Sequence, residues 1–95
     1  MQYAVYKIEL LATKRCKRTD PYQWYIGSTY IDDEHGVEDR VNDHRQGRNS
    51  NIIQRGYVVL DGFQVSVHPT RPSAEEAERE TAIEMRKNGS RVWQA

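Results

Sequence analysis

Arg40 and His44 stand four residues apart in residues 37–46, a segment whose composition predicts a short helix that ends at Gly47. Side chains four apart on a helix share one face. A guanidinium matches the oxygens of a phosphate, and an imidazole can accept or relay a proton near neutral pH. Together they could stabilise a charged transition state at phosphorus and assist proton transfer. The alternative is an ordinary solvated helix face, which the same spacing fits.

Two tyrosines occupy matching positions in neighbouring predicted strands. Tyr6 lies mid-way along residues 3–11, and Tyr25 lies mid-way along residues 23–30. Both segments are rich in the aromatic and β-branched residues that favour strands. A hairpin would therefore bring the two phenols together on one face of the sheet. The plainer alternative is a cross-strand aromatic pair packed against a helix.

Glutamates concentrate in the predicted last helix, between residues 75 and 84. A hard divalent cation such as Mg²⁺ needs few protein carboxylates, because it keeps several waters and takes other ligands from a substrate phosphate. One inward-facing glutamate would therefore suffice as a metal ligand. The spacing alone does not choose among them, and most are expected to be solvated: Glu75, Glu76, Glu78, Glu80 and Glu84.

The predicted elements follow the order β-β-α-β-α in an α/β (α+β) fold, with a small three-stranded, mostly antiparallel sheet flanked by helices. The third strand is placed at residues 63–68, after a turn at Asp61-Gly62. The last helix is expected to begin with Ser73 as its N-cap, with Glu76 completing a capping box, and to run to Lys87. Residues 49–56 are ambiguous. The 95 residues predict one domain, 1-95.

The formal net charge is zero, which argues against a module that holds DNA by electrostatics alone. The positive charges are nevertheless clustered, and a lone cysteine, Cys16, excludes an intramolecular disulfide. No long apolar segment or signal-peptide pattern is present, so a cytoplasmic protein with no membrane association is expected. The two basic clusters are Lys14, Arg15, Lys17 and Arg18, and then Arg40, Arg45, Arg48 and Arg55.

Five landmarks in one order resemble the GIY-YIG nuclease family. They are Ala4-Val5-Tyr6, then Tyr25-Ile26-Gly27, then Arg40 and His44 followed by Gly47, a polar stretch over residues 48–56 before a third strand, and Glu78-Arg79-Glu80 followed by Ile83. The resemblance spans nearly the whole chain. It places the metal ligand at Glu80, or at Glu78 if the last helix is shifted. The first motif departs from the family at Ala4 and Val5, and the asparagine that often follows the glutamate has only Asn88 as a counterpart.

The resemblance implies a metal-dependent endonuclease that hydrolyses DNA phosphodiester bonds. Tyr6 would act as the general base, with His44 drawing the phenol proton. Tyr25 would contact the scissile phosphate, and Arg40 would neutralise its charge. Glu80 would hold one Mg²⁺ (or Mn²⁺), so Glu80→Ala is expected to abolish cleavage.

DNA is the partner that the resemblance implies, and double-strand cleavage would call for a homodimer. Gly27 would let the substrate backbone approach the sheet. Contacts to phosphates, which position DNA without specifying its sequence, are expected from the basic clusters. These contacts are assigned to Lys14, Arg15, Lys17, Arg18, Arg45 and Arg48.

Two other functions stay open. One is a catalytically silent nucleic-acid-binding module on the same fold, which the presence of both tyrosines, His44 and Glu80 disfavours. The other is a protein-interaction domain whose acidic helix binds a basic partner. Plasmid nicking during a divalent-metal titration separates the first from a nuclease. A thiol enzyme that uses Cys16 is disfavoured because no pairing with a histidine and an asparagine is evident.

Overall fold

Two segments rich in aromatic and β-branched residues form the centre of the structure, a computed structural model that describes residues 2–48 and 51–95. Within these residues the elements are β1 (Gln2–Ala12), β2 (Trp24–Ile31), α1 (Val37–Arg45), β3 (Tyr57–His68), α2 (Arg71–Lys87) and β4 (Val92–Gln94). The strands join in one mixed sheet with the order β3-β1-β2-β4. β1 is antiparallel to both of its neighbours, whereas β4 is parallel to β2. The expected α+β class is confirmed.

The fourth strand corrects the three-stranded sheet expected from the sequence. β4 pairs with the first half of β2, from Trp24 opposite Val92 to Ile26 opposite Gln94. Three residues are too few to display the alternation by which a strand is recognised in a sequence. The fold order is therefore β-β-α-β-α-β, and the sheet is mixed, with two antiparallel pairings and one short parallel pairing.

The expected turn at Asp61-Gly62 is wrong, because β3 continues through it without interruption. The register of the β1–β3 pairing shifts between Ile8 and Leu10. This β-bulge accommodates Asp61-Gly62 within a continuous strand. Gly62 has a packing reason to lack a side chain, since a Cβ there would clash with the Val41 side chain of α1. The glycine thus lets α1 lie close against β3.

The last helix begins earlier than expected. Thr70 is the N-cap, and its side chain accepts a hydrogen bond from the Ser73 backbone N–H, so Ser73 lies in the first turn. Pro72 fits there because the first helical positions need no backbone donor. The predicted end at Lys87 is confirmed. Among the described residues, no helix has both the length and the apolar character needed to cross a membrane.

The sheet carries a hydrophobic cluster on each face. On one face α1 and the turn around Ile52 cover a cluster built on the side chains of Tyr6 and Ile8. On the other face α2 packs through Ala74 and Ala82 against a second cluster. Successive side chains of β1 point to opposite faces, so this central strand contributes to both clusters. The sheet therefore holds one helix on each side.

Residues 51–56 form turns, while Asn49 and Ser50 of the ambiguous segment lie outside the described residues. Gly56 has φ of +91°, in the region that favours glycine. A Cβ at Gly56 would clash with the backbone of Arg15 and Cys16. In addition, the Thr13 hydroxyl donates to the Gly56 carbonyl at 2.7 Å. These contacts fix the basic loop between β1 and β2 against the segment that follows α1.

Candidate active site at the open edge of β2

A cleft of about 400 Å³ lies at the part of the β2 edge that β4 leaves uncovered. β4 pairs with β2 only as far as Ile26, and among the described residues no strand pairs with this edge beyond that point. Both α1 and α2 contribute side chains to the wall of this cleft. We call this space the β2-edge cleft. Its lining residues are Tyr3, Ser28, Thr29, Tyr30, Arg40, Asp43, Arg71 and Glu75.

The Tyr6 hydroxyl and His44 Nε2 are joined by a buried hydrogen bond of 2.9 Å. Tyr6 and His44 are 1% and 0% exposed. Burial lowers the pKa of His44 to about 4, and the charge of Arg40 acts in the same direction. The imidazole is therefore neutral at pH 7, and Nε2 accepts the phenol proton when the ring carries its own proton on Nδ1.

Arg40 connects this hydrogen bond to the β2-edge cleft. It lies one turn before His44 in α1, lines the cleft, and hydrogen-bonds the Tyr6 hydroxyl. Burial raises the pKa of Tyr6, and the positive charge of Arg40 opposes that rise. The expected pairing of Arg40 and His44 on one helix face is thus present. The two side chains meet at a single phenol.

Tyr25 stacks beside Tyr6, with ring centroids 6.4 Å apart, and meets the His44 ring edge-on at 4.9 Å. Burial raises the pKa of Tyr25, and Arg40 opposes the rise. The Tyr25 phenol also hydrogen-bonds that of Tyr6. The two tyrosines, the guanidinium and the imidazole are therefore gathered in one cluster, as expected from their positions in the sequence.

Gly27 makes room for the Tyr6 phenol. A Cβ at Gly27 would lie 2.6 Å from the Tyr6 hydroxyl oxygen and 3.2 Å from the ring of Tyr25. The role expected for Gly27 from the sequence is the approach of the substrate backbone. In the structure, the absence of a side chain at Gly27 leaves space for the Tyr6 ring on the neighbouring strand.

Glu78 takes the place at the site that is expected for Glu80 from the sequence. Glu78 is 5% exposed, and its carboxylate accepts a hydrogen bond of 2.9 Å from the Ser28 hydroxyl, whereas Glu80 is exposed. Two residues along a helix correspond to about 200° of rotation, so only one of the pair can face the sheet. Burial raises the pKa of Glu78, while hydrogen bonds from Ser28 and Gln94 oppose the rise.

The oxygen donors around Glu78 suit a hard divalent cation. The Glu78 carboxylate lies beside the Ser28 hydroxyl, and Glu75 lines the β2-edge cleft one helical turn earlier. Mg²⁺ prefers such oxygens and takes its remaining ligands from water and phosphate. Within residues 2–48 and 51–95, no three His, Cys, Asp or Glu side chains form a ready-made cluster. The residues present fit a cation held by Glu78 whose other ligands come from water or a phosphate.

Comparison with protein-family models, curated proteins and solved structures gave no match. The resemblance to GIY-YIG nucleases therefore rests on the five landmarks and on the cluster around Tyr6.

The basic residues assigned to phosphate contacts separate into different places. Arg45 donates to the Leu60 carbonyl of β3 and to Asn42, so it ties α1 to the sheet away from the β2-edge cleft. Arg48 lies 4.0 Å from Asp43, a residue of the cleft wall. The residues of the loop after β1 lie elsewhere: Arg15, Lys17 and Arg18 line a second cavity with Arg55, and Lys14 is exposed outside it.

Three residues near the site were not expected from the sequence. Ser28 directly follows Tyr25-Ile26-Gly27, and Gln94 belongs to β4, which was not expected from the sequence. Arg71 lies before the start of the last helix that the sequence predicts. In the structure it is the first residue of α2 and lines the β2-edge cleft. In the sequence, Glu78 lies four residues from both Ala74 and Ala82, which puts all three on one helix face. This spacing favours Glu78 as the glutamate that faces the sheet.

For the nuclease activity expected from the sequence, replacing Gly27 by alanine should lower the rate of nicking of supercoiled plasmid at least tenfold. The added methyl would displace the Tyr6 phenol, and overpacking of this kind costs about 1–3 kcal/mol. Gly36→Ala is the matched control, since a Cβ at Gly36 meets nothing within 4 Å. Equal rates for the two variants would show that the position of the phenol does not govern cleavage.

Proposed function

We propose that this chain is a metal-dependent endonuclease that hydrolyses DNA phosphodiester bonds at the β2-edge cleft. The observation that carries the proposal is the buried hydrogen bond between Tyr6 and His44, whose phenol also contacts Arg40 at the cleft wall. Glu78 comes to the same region from the helix on the other face of the sheet. The resemblance to GIY-YIG nucleases supports the same chemistry at Tyr6, Tyr25, Arg40 and His44, with Glu78 in the place that the resemblance gives to Glu80.

The β2-edge cleft suits a phosphodiester. Arg40 from α1 and Arg71 from α2 both line it, and a guanidinium can place two N–H donors on two phosphate oxygens. Its volume of about 400 Å³ lies within the usual range for small-molecule sites. Arg40 would neutralise charge that builds up on the non-bridging oxygens as the water attacks. Tyr25, which lies beside Tyr6 and His44, would contact the phosphate together with Arg40.

The hydrogen bond between Tyr6 and His44 provides a path for the proton of the attacking water. The water oxygen forms a bond to phosphorus while its proton passes to the Tyr6 hydroxyl. Tyr6 gives its own proton to His44 Nε2, so the phenol never carries a full negative charge. This matters because burial raises the pKa of Tyr6 and so disfavours a free phenolate. The bond from phosphorus to the leaving oxygen then breaks.

Glu78 would hold the divalent cation, and Ser28 would orient the carboxylate through their 2.9 Å hydrogen bond. The bound cation supplies Lewis-acid stabilisation of charge on the phosphate and the leaving oxygen. The carboxylate also raises the pKa of Tyr6 and Tyr25 through its negative charge. Neutralising Glu78 would remove that effect and make both phenols easier to deprotonate.

The test is the nicking of supercoiled plasmid by purified protein with and without Mg²⁺. Cleavage is expected only with the cation. Tyr6→Phe keeps the ring and removes the proton path, so its rate is expected to fall by about 10²–10⁴-fold. Arg40→Gln removes charge stabilisation, and a loss of about 10²–10³-fold is expected.

Lys87→Gln is the control for loss of one positive charge, because Lys87 lies in the last turn of α2 and is exposed. It is expected to nick at the wild-type rate. Metal-independent nicking, or Tyr6→Phe with wild-type activity, would remove the proposed mechanism.

A further inference from the structure

A second cavity, of about 390 Å³, lies beside the candidate active site and is not used by the chemistry above. It lies where the loop after β1 meets the segment before β3, two parts of the chain that Gly56 holds together. We call it the basic–aromatic pocket. Its lining residues are Arg15, Lys17, Arg18, Tyr22, Gln54, Arg55, Tyr57 and Trp93.

The pocket combines positive charge with flat apolar walls. Four of its eight lining residues are cations, and none of these described residues is a carboxylate, although the chain as a whole has no net charge. Three more are aromatic, and their rings form a connected group with Trp93 5.7 Å from Tyr22 and 6.0 Å from Tyr57. The chemistry that matches both properties is a planar ring attached to a phosphate.

The cations are already placed over the rings. The Arg18 guanidinium lies 4.1 Å from the centre of the Tyr22 ring, and that of Arg55 lies 5.7 Å from Trp93. Cation–π contacts hold each charge against the aromatic surface. A base that stacked on the surface would find its phosphate within reach of these two arginines.

Trp93 links the pocket to the candidate active site. The same ring that lines the pocket meets Tyr25 edge-on, with centroids 5.4 Å apart. A nucleotide in the pocket would therefore be close along the strand to a phosphate held by Tyr25 and Arg40. In a duplex, both faces of each base are covered by its neighbours, so only an unpaired, unstacked base can use the pocket.

We propose that the basic–aromatic pocket binds an unpaired nucleotide of the DNA strand next to the scissile phosphate. Trp93 stacks on the base, and Arg55, together with Arg18 over the Tyr22 ring, contacts its phosphate. The substrate class is then DNA with a single-stranded segment at the cleavage point. This inference rests on the proposed nuclease function for the meaning of the neighbouring site, but binding can be measured without cleavage.

The experiment measures binding in metal-free buffer at one low salt concentration, using Trp24→Phe protein so that Trp93 is the reporting fluorophore. The probes are an oligothymidylate of about ten nucleotides, an abasic strand of equal length, and a matched duplex. Oligothymidylate is expected to quench Trp93 and to bind at least tenfold more tightly than the other two, since only it offers an unpaired base to stack on the ring. Plasmid nicking is measured in parallel.

The variants separate charge from stacking. Arg55→Gln and Arg18→Gln are each expected to weaken oligothymidylate binding several-fold, whereas Lys87→Gln leaves it unchanged. Trp93→Leu, followed by anisotropy of a labelled strand, is expected to make the oligothymidylate and abasic affinities equal. The two arginine changes lie at exposed positions, so they keep the test valid if Trp93→Leu does not fold.

The two proposals fail in different ways. If the protein nicks plasmid but binds oligothymidylate and abasic strands equally, and Arg55→Gln behaves as Lys87→Gln does, the pocket is not a base site and the nuclease function stands. If base-dependent binding is present and no divalent cation supports cleavage, the pocket stands and the nuclease function falls.

Discussion

Replacing Glu78 by glutamine is expected to reduce Mg²⁺-dependent nicking of plasmid at least a hundredfold while the protein stays folded. The change removes the anionic oxygens that would hold the cation and keeps a side chain of nearly the same shape beside Ser28. Burial raises the pKa of Glu78, which means that the fold disfavours its charge. A neutral amide should therefore be tolerated, as thermal unfolding can verify.

Glu80→Gln is the matched control, since it removes the same charge two residues away on the exposed side of α2. Its nicking rate is expected to stay within twofold of wild type. The pair also separates two assignments of the metal ligand. Loss of activity in Glu80→Gln together with an active Glu78→Gln protein would return the ligand to Glu80 and leave the buried carboxylate with a structural role only.

Lowering the pH from 7 to 4 is expected to reduce the free energy of unfolding by about 3 kcal/mol through His44 alone. The pKa of His44 is about 4 in the folded protein, against the ordinary value of 6.5 that applies to the unfolded chain. Between these values the unfolded chain binds the proton and the folded one does not, so stability is complete above pH 6.5 and falls as the pH falls towards 4. The cause is burial, since the imidazole is 0% exposed.

Urea unfolding at several pH values measures the effect as the difference between wild type and His44→Gln. Carboxylates that titrate in the same range contribute to both proteins and cancel. His35→Gln serves as the control, because His35 is an exposed histidine in the loop before α1. An equal pH dependence in wild type and His44→Gln would mean that the imidazole is not held neutral.

The hairpin of β1 and β2 was predictable because its residue types and periodicity are local properties of the chain. Tyr6 pairs with Gly27 and Ile8 with Tyr25, so the two tyrosines share a face, as the strand positions indicated. The same holds for Arg40 and His44, whose spacing alone places them together on α1. For these four residues, the proximity expected from the sequence is present in the structure.

The choice between Glu78 and Glu80 depends on how α2 is rotated against the sheet. That rotation follows from the packing of small residues such as Ala74 and Ala82, a weaker pattern than a stripe of large apolar side chains. β4 was missed for a related reason. Its three residues gain their structure from β2, far away in the sequence, and not from any local preference.

Two consecutive side chains of β4, Trp93 and Gln94, make contacts on opposite faces of the sheet. Trp93 lies on the side of Tyr25 and the basic–aromatic pocket, while Gln94 hydrogen-bonds Glu78 on the opposite face of the sheet. A three-residue edge strand is among the first elements to open in native-state fluctuations. A base stacked on Trp93 would keep β4 paired with β2. It would thereby keep Gln94 hydrogen-bonded to the Glu78 carboxylate. If both proposals hold, occupancy of the basic–aromatic pocket steadies the proposed metal ligand, which gives cooperativity between DNA and cation without any large movement.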